Sequence, residues 1–356
     1  MNITLVCYTY GIPLSDACCY PLGFLYVSSI LKSKGHNVKI LNYNLYDYDF
    51  KEEIKNQDLV MFTGFASFKN QIIRDAAICR EAGILTSLGG ALGTFCEEEM
   101  RQHVDSVCVG EYDKDINIDK IPYPDFDGFG IDKYFEANEL KHIGVLTSRG
   151  CVFNCTFCSQ TCKFRYRKVK SVMEEVDFYI IKYGIELVIF NDNTFNFSKS
   201  RFIHLCSEMK TRKIPWSASI RCDKFDNEMA KVAKDSYCKY FLIGIESFKQ
   251  EKLDAMNKQL RVEDIYKTID LLEKYKINYH GNLLLGFEDE SYADIVSEVN
   301  NIKDNKHIFP SLVQPFIGTK NGYKRSITKE ETLFLNSSFE EYAVANEKYV
   351  YSEFVV

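Results

Sequence analysis

Nowhere in these 356 residues do about 18 apolar residues run together, so no segment is expected to span a membrane. The opening Met1-Asn2-Ile3-Thr4-Leu5-Val6 has no basic region ahead of a long apolar stretch, so no export is expected either. Positive charge is also short. The 44 Lys and Arg face 50 Asp and Glu, a formal net charge of −6, which disfavours a broad electrostatic grip on nucleic acid. No internal repeat or low-complexity tract competes with a globular reading. Cysteine, by contrast, is plentiful: thirteen, with no export expected, point to a reducing compartment, the cytoplasm, where thiols stay available for metal binding or catalysis.

Three of these cysteines lie in Arg149-Gly150-Cys151-Val152-Phe153-Asn154-Cys155-Thr156-Phe157-Cys158, a C-x3-C-x2-C run on the loop after an expected buried strand. Three clustered thiolates can hold three irons of a four-iron cluster and leave the fourth open to a small molecule. A structural zinc site wants four closed ligands, commonly as paired C-x2-C knuckles, and no second knuckle occurs. Cys162 is the available fourth ligand for a closed site. A disulfide framework belongs to short secreted chains and fits poorly.

Around this run the chain alternates strand-like and helix-like segments. In residues 1–111, Ile3 to Cys7, Val38 to Leu41, Asp58 to Thr63, Ile84 to Leu88 and Asp105 to Val109 read as strands, with helices at Leu22 to Lys34 and Asn70 to Glu81 between them. That alternation predicts a doubly wound parallel sheet, whose ligands sit at the carboxyl ends of the strands. Those ends carry Thr63-Gly64, Gly89-Gly90 and Gly110-Glu111. Residues 112–140 are acidic, aromatic and turn-rich and read as a linker that packs across the surface. From 141 to 320 six further strands are expected, at Ile143 to Thr147, Leu187 to Phe190, Trp216 to Ile220, Tyr240 to Ile245, Tyr279 to Gly286 and Phe309 to Val313. Six βα units suit a partial barrel with chemistry at its carboxyl end. Residues 321–356 read as a C-terminal extension that opens with a capping box at Thr328-Lys329-Glu330-Glu331. The basic run Lys163 to Lys170 is read as a solvated approach to a helix or as an anion contact.

The cysteine spacing, with an aromatic residue before its last member, resembles the signature of the radical S-adenosylmethionine (SAM) enzymes. The resemblance implies a [4Fe-4S] cluster on Cys151, Cys155 and Cys158, with SAM chelated at the open iron and cleaved by one electron to a 5′-deoxyadenosyl radical. The order of the glycine-bearing strand ends in residues 1–111 resembles the cobalamin-binding domains that precede many such enzymes, which implies cobalamin at Thr63, Gly64, Gly89, Gly90, Gly110 and Glu111. The D-x-H-x-x-G motif, whose histidine ligates cobalt in other cobalamin proteins, is absent.

The strand ends of the second half extend the resemblance. Asn191-Asp192-Asn193-Thr194-Phe195 is similar to a D-D-x-F variant and implies that Asp192 or Asn193 meets the SAM amino group. Helix capping is the ordinary alternative. Arg221 is a candidate for the SAM carboxylate, in competition with a salt bridge to Asp223 or Asp226. Gly244-Ile245-Glu246-Ser247 resembles the family's G-I-E-S segment, implying that Glu246 and Ser247 face SAM. The strand holding Gly281 and Gly286 resembles its adenine-side strand, with Phe157 approaching the adenine edge. Pro315-Phe316-Ile317-Gly318-Thr319 resembles the exit from the sixth strand. Outside the pattern, Cys222 is the best placed of Cys162, Cys222 and Cys238 as a catalytic thiol, and Cys18-Cys19 is a candidate to approach cobalamin.

The expected function is radical C–H activation, with cobalamin-dependent C-methylation of a metabolite or peptide as the leading outcome. Cobalamin-independent epimerisation, dehydration or cyclisation is the alternative, followed by a non-catalytic iron-sulfur sensor. A reducing partner such as flavodoxin or ferredoxin is implied, with no membrane partner.

Overall fold

The computed structural model describes residues 1–8, 20–64, 66–160, 162–287, 290–302 and 305–312. Cys18, Cys19, Pro315 to Thr319 and the 321–356 extension lie outside the described residues. The chain divides into two compact units that meet between Leu140 and Lys141.

In the first unit, β1 (Asn2–Cys7), β2 (Asn37–Asn42), β3 (Leu59–Thr63), β4 (Leu85–Gly89) and β5 (Ser106–Val107) form one sheet in the order β2-β1-β3-β4-β5, all parallel. β1 is buried along nearly its whole length, as a central parallel strand covered on both faces must be. The helices Leu22–Ser33 and Lys69–Glu81 supply the covering apolar faces through Phe24, Leu25, Ile30 and Leu31, and through Ile72, Ala76 and Cys79. Segment 112–140 does more than cross the surface. Phe126, Phe129, Ile131 and Tyr134 are buried, and Tyr20 meets three of these rings edge-on. Asp125 accepts a hydrogen bond from Ser28 at 2.5 Å and pairs with Lys32 at 2.6 Å. The segment is thereby part of the first unit's core.

The second unit holds β6 (His142–Val145), a two-residue antiparallel ladder of β7 (Ser148–Arg149) and β8 (Arg165–Tyr166), then β9 (Leu187–Phe190), β10 (Trp216–Ile220), β11 (Cys238–Glu246), β12 (Asn278–Leu285) and β13 (Ile308–Leu312). Its main sheet runs β13-β12-β11-β10-β9-β6, all parallel. Apart from the ladder, each strand lies beside the next in the chain, and every connection is helical, with two helices, Gln250–Ala255 and Val262–Tyr275, between β11 and β12. This is the partial barrel that repeated βα units dictate.

Alternation fixes which side chains face where. Trp216 packs among Phe190, Phe195, Phe202 and Phe241 in the layer between sheet and helices. Each such ring contributes roughly 1.5–3 kcal/mol by burial. Ser217 and Ser219 therefore point to the opposite, inner face. Through the registers Ser217↔Tyr240, Leu242↔His280 and Gly244↔Asn282, the inner row continues across β11 and β12. Gly281 belongs to the helix side: a Cβ there would stand 2.5 Å from Ile245 Cδ1 and 3.3 Å from Ile308 Cγ1, so this glycine serves close packing.

Candidate active site

The cysteine loop is held at both ends. Its neck is the β7–β8 ladder, where Ser148 pairs with Tyr166 and Arg149 with Arg165. Gly150 follows with φ +72°, and a Cβ there would lie 2.4 Å from the Cys162 carbonyl oxygen and 2.9 Å from Lys163 C, so only glycine closes the neck. Asn193 Nδ2 donates to the Gly150 carbonyl at 3.3 Å. At the far end, Thr156 N donates to Met256 O and Asn257 Nδ2 to Asn154 O, both at 2.9 Å. Phe157 packs with Leu284 against Met256 and Phe287.

Cys151 and Cys155 are half-buried and Cys158 is exposed. Cys151 Sγ lies 3.5 Å from Thr194 Oγ1, and Gln160 N donates to Cys158 Sγ at 3.4 Å. Burial pushes the Cys155 thiol up, opposed by the Lys258 and Arg221 cations; burial likewise raises Cys158, opposed by the Gln160 N–H. Among the described residues no three His, Cys, Asp or Glu side chains converge on one ion. Convergence on one point is what mononuclear zinc requires, whereas each cysteine of a four-iron cluster takes its own iron. Three thiols on one pinned loop, facing two cations, form a donor set suited to an anionic iron-sulfur group.

At the barrel mouth the strand-end residues divide into those that build and those that face inward. Asp192 is buried and accepts from Thr147 N at 2.7 Å, from Ser148 N at 3.0 Å and from the Thr147 hydroxyl, so it holds the approach to the cysteine loop. Burial raises its carboxyl and these donors oppose the rise. Asn193 holds the neck. Arg221 donates to Asp223 at 2.9 Å, to Lys258 O at 2.6 Å and to Gln259 O at 3.3 Å, and its guanidinium lies 3.5 Å from the centre of the Phe153 ring. Ser247, fully buried, donates to Glu298 of the helix Tyr292–Ile302, away from the inner face. Gly286, φ +88°, donates its N–H to Glu290 at 2.5 Å. Cys222 is buried beside Thr268 of the helix Val262–Tyr275, and burial pushes its thiol up to about 12, so it stays protonated at neutral pH.

Glu246 is different. A bulge between Gly244 and Glu246 interrupts the β11–β12 register, and Glu246 takes φ +63°, a left-handed conformation that is strained for a non-glycine residue. Its carboxylate folds back over Gly244, whose missing side chain leaves the space: a Cβ there would stand 2.7 Å from both Glu246 Oε1 and Lys258 Nζ. Lys258 meets Glu246 at 2.5 Å in a buried ion pair and lies 5.6 Å from the Phe157 ring. Lys258 ends the run Lys252 to Lys258 that follows Gly244-Ile245-Glu246-Ser247 in the sequence, which is the signal that points to it, and its neighbours Asn257 and Gln259 both take positive φ. Nearby, Asn191 Oδ1, Ser217 Oγ and Asn282 Oδ1 are buried without a hydrogen-bond partner, a costly condition that a ligand on the inner face would relieve.

In the first unit, Thr63 and Gly89 are register neighbours. Gly90, φ +74°, would place a Cβ 2.6 Å from Thr63 Oγ1. Leu92 N donates to Gly64 O, Thr94 Oγ1 to Gly90 O, and Gly110 N to Thr94 Oγ1, tying three strand ends together through backbone and one hydroxyl. Glu111 is half-buried beside them. Such an edge admits close approach by a large ligand. No histidine lies among the described residues of these strand ends, so the fit to cobalamin is through an accessible backbone edge, without a cobalt-ligating side chain there.

Comparison with known proteins agrees with this division. The Radical SAM superfamily profile matches residues 145–300, and the B12 binding domain profile matches 15–115. The chain is 26% identical over 355 residues to an uncharacterized methyltransferase of Pyrococcus horikoshii, covering 84% of this chain and 77% of that one. It is 27% identical to bacteriochlorophyllide d C-12(1)-methyltransferase of Chlorobaculum tepidum, covering 86% and 73%. Among solved structures it is similar in fold to the radical SAM methyltransferase TsrM of Kitasatospora setae, determined with a tryptophan substrate and a SAM analogue. The TM-score is 0.71 at 15% identity, covering 90% of this chain and 74% of that one.

Proposed function

We propose, from the Radical SAM superfamily match over residues 145–300 and the B12 binding domain match over 15–115, that the chain is a cobalamin-dependent radical SAM methyltransferase acting on an unreactive carbon of a small-molecule substrate. The observation that carries the reading is the doubly pinned three-cysteine loop with Arg221 and Lys258 on its buried side. When bound, the cluster with SAM supplies one-electron cleavage to a 5′-deoxyadenosyl radical, and cobalamin supplies a methyl carrier.

The chain's own residues hold and shield. Cys151, Cys155 and Cys158 ligate the cluster, while Gly150, Asn193 and Asp192 fix the loop that carries them. Arg221 and Lys258 would offset negative charge at the loop, and Glu246 keeps Lys258 oriented through their buried ion pair. Phe157, Met256 and Phe287 exclude water from the loop's far end. Asn191, Ser217 and Asn282 offer unpaired hydrogen-bonding groups to SAM or substrate on the inner face, which fits a polar, uncharged part of the substrate. Thr63, Gly64, Gly89, Gly90 and Gly110 form the backbone edge that would hold cobalamin. Relatives in the comparisons act on a bacteriochlorophyllide and are described with tryptophan, and we extend from them only the small-molecule class.

Anaerobic reconstitution with iron, sulfide and hydroxocobalamin, followed by SAM and dithionite, tests this. The wild type is expected to bind a brown cluster, retain corrinoid through gel filtration and release 5′-deoxyadenosine. Joint replacement of Cys151, Cys155 and Cys158 by alanine is expected to abolish cluster and cleavage and spare corrinoid retention. Cleavage that survives in this variant overturns the site. Cleavage by a wild type that never retains corrinoid leaves the radical step and overturns the methyl transfer.

A further inference from the structure

We propose that an acidic protein that donates single electrons docks on the basic surface beginning at the neck of the cysteine loop. This rests on the radical SAM reading above, which needs one electron from outside for each SAM cleaved. In the transfer the donor is oxidised by one electron and the cluster reduced by one, and no atom passes between the proteins.

The chemistry of the surface is set by sequence. Lys163, Arg165, Arg167, Lys168 and Lys170 fall within eight residues that hold no acid, in a chain whose net charge is −6. An acidic protein is therefore repelled by the chain as a whole and attracted at this run. The structure sorts the five cations. Arg167 is withdrawn into the fold, where it pairs with Glu175 and donates to Leu146 O and Ser171 O, and so anchors the run. Lys163, Lys168 and Lys170 are exposed, with Arg165 half-buried among them. Lys170 stands 3.9 Å from Glu174, which is itself exposed. Lys199 is not part of the patch, because Asp226 and Glu228 neutralise it.

An aromatic centre accompanies the charge. Tyr166 is 57% exposed and packs with Phe164 and Phe197. The Arg201 guanidinium stands 5.4 Å from the Tyr166 ring centre and 5.8 Å from that of Phe197. Tyr166, Phe197, Arg201 and His204 also line a concavity of about 370 Å³ that opens beside the run. An exposed Tyr beside a half-buried Arg around a concavity, rimmed by exposed lysines, is the make-up of a protein-docking centre.

Position selects the occupant. Gly150 would place a Cβ 2.9 Å from Lys163 C, and Cys151 is the next residue, so the patch starts at the backbone that carries the first cluster cysteine. A donor seated on Lys163 and Tyr166 stands against the shortest covalent route to the cluster.

The test compares two reductants and adds a direct binding readout. Reduced flavodoxin, maintained by its reductase and NADPH, is the protein donor; dithionite is the small one. In Lys163→Glu/Lys168→Glu/Lys170→Glu, the flavodoxin concentration for half-maximal 5′-deoxyadenosine formation is expected to rise about tenfold or more at low salt. Dithionite-driven cleavage and iron content should stay at wild-type levels. In the wild type, raising salt from about 50 to about 300 mM should slow the flavodoxin reaction and leave the dithionite reaction unchanged. Zero-length carbodiimide cross-linking of wild type to flavodoxin, mapped by mass spectrometry, should join flavodoxin carboxylates to Lys163, Lys168 or Lys170. Cross-links confined to lysines elsewhere, or wild-type half-saturation in the triple variant, overturn the proposal. Protection of these lysines by millimolar pyrophosphate, with none by flavodoxin, assigns the patch to a small anion and also overturns it. A wild type inert with dithionite defeats the radical SAM reading, while the cross-linking result still decides the docking.

Discussion

The two parallel sheets of this chain end their strands in opposite ways. In the first, Thr63-Gly64, Gly89-Gly90 and Gly110 leave a bare edge tied by one backbone hydrogen bond and the Thr94 hydroxyl. In the second, Asp192, Arg221, Glu246 and Lys258 crowd the same topological position with charge. The same βα logic yields a cradle in one case and a reactive mouth in the other. The lesson is that strand topology decides where a site lies, and side-chain size and charge at the strand ends decide what it can do.

The largest expected effect lies at the charged mouth. Lys258→Met leaves the Glu246 carboxylate buried without its partner, which should cost about 3–5 kcal/mol in urea unfolding of the second unit. Lys258→Met combined with Glu246→Leu should recover most of that loss, because a buried pair replaced by apolar groups is often neutral, yet the double variant should not cleave SAM. A double variant as destabilised as Lys258→Met alone would show that the pair is built for stability and would erase the contrast with the first sheet.

The bare edge should break differently. Gly90→Ala must hold φ +74° with its Cβ 2.6 Å from Thr63 Oγ1, an expected cost of about 1–3 kcal/mol. Corrinoid retention should fall in this variant while dithionite-driven release of 5′-deoxyadenosine by the second unit persists. Unchanged retention would separate the glycine edge from cobalamin.

Much of this contrast is readable from residues alone. The alternation of strands, the cysteine loop and the glycine-bearing strand ends all follow from local pattern. Which strand-end side chains face inward does not. The bulge after Gly244 shifts parity, so Glu246 turns over Gly244 while Ser247, beside it in sequence, reaches Glu298 on the helix side. A bulge is a backbone event with no residue signature here. The resemblance of 191–195 to a D-D-x-F variant implies a SAM contact at Asp192 or Asn193; the two backbone N–H groups and the hydroxyl from which Asp192 accepts are shown only by the fold. The 112–140 segment reads as a surface linker because turn residues dominate its composition, although Ile121, Phe126, Phe129, Ile131, Tyr134 and Phe135, once buried, complete a core.

The smallest expected effect is the most discriminating between building and facing. Asn196 and Ser217 are both buried polar residues beside the strands of the second sheet. Asn196 accepts from Arg221 N at 2.9 Å and donates to Arg221 O and Lys224 O, so Asn196→Ala strands those partners and should cost about 1–3 kcal/mol. Ser217 Oγ has no partner, and Ser217→Ala removes one unpaired atom without stranding another, so urea unfolding should move by no more than about 0.5 kcal/mol, toward stability if at all. A loss above about 1 kcal/mol in Ser217→Ala would mean that the hydroxyl is spent on the fold. A neutral stability with a raised KM for SAM or substrate would place it on the working face, where an unsatisfied group in the resting chain is satisfied by what binds.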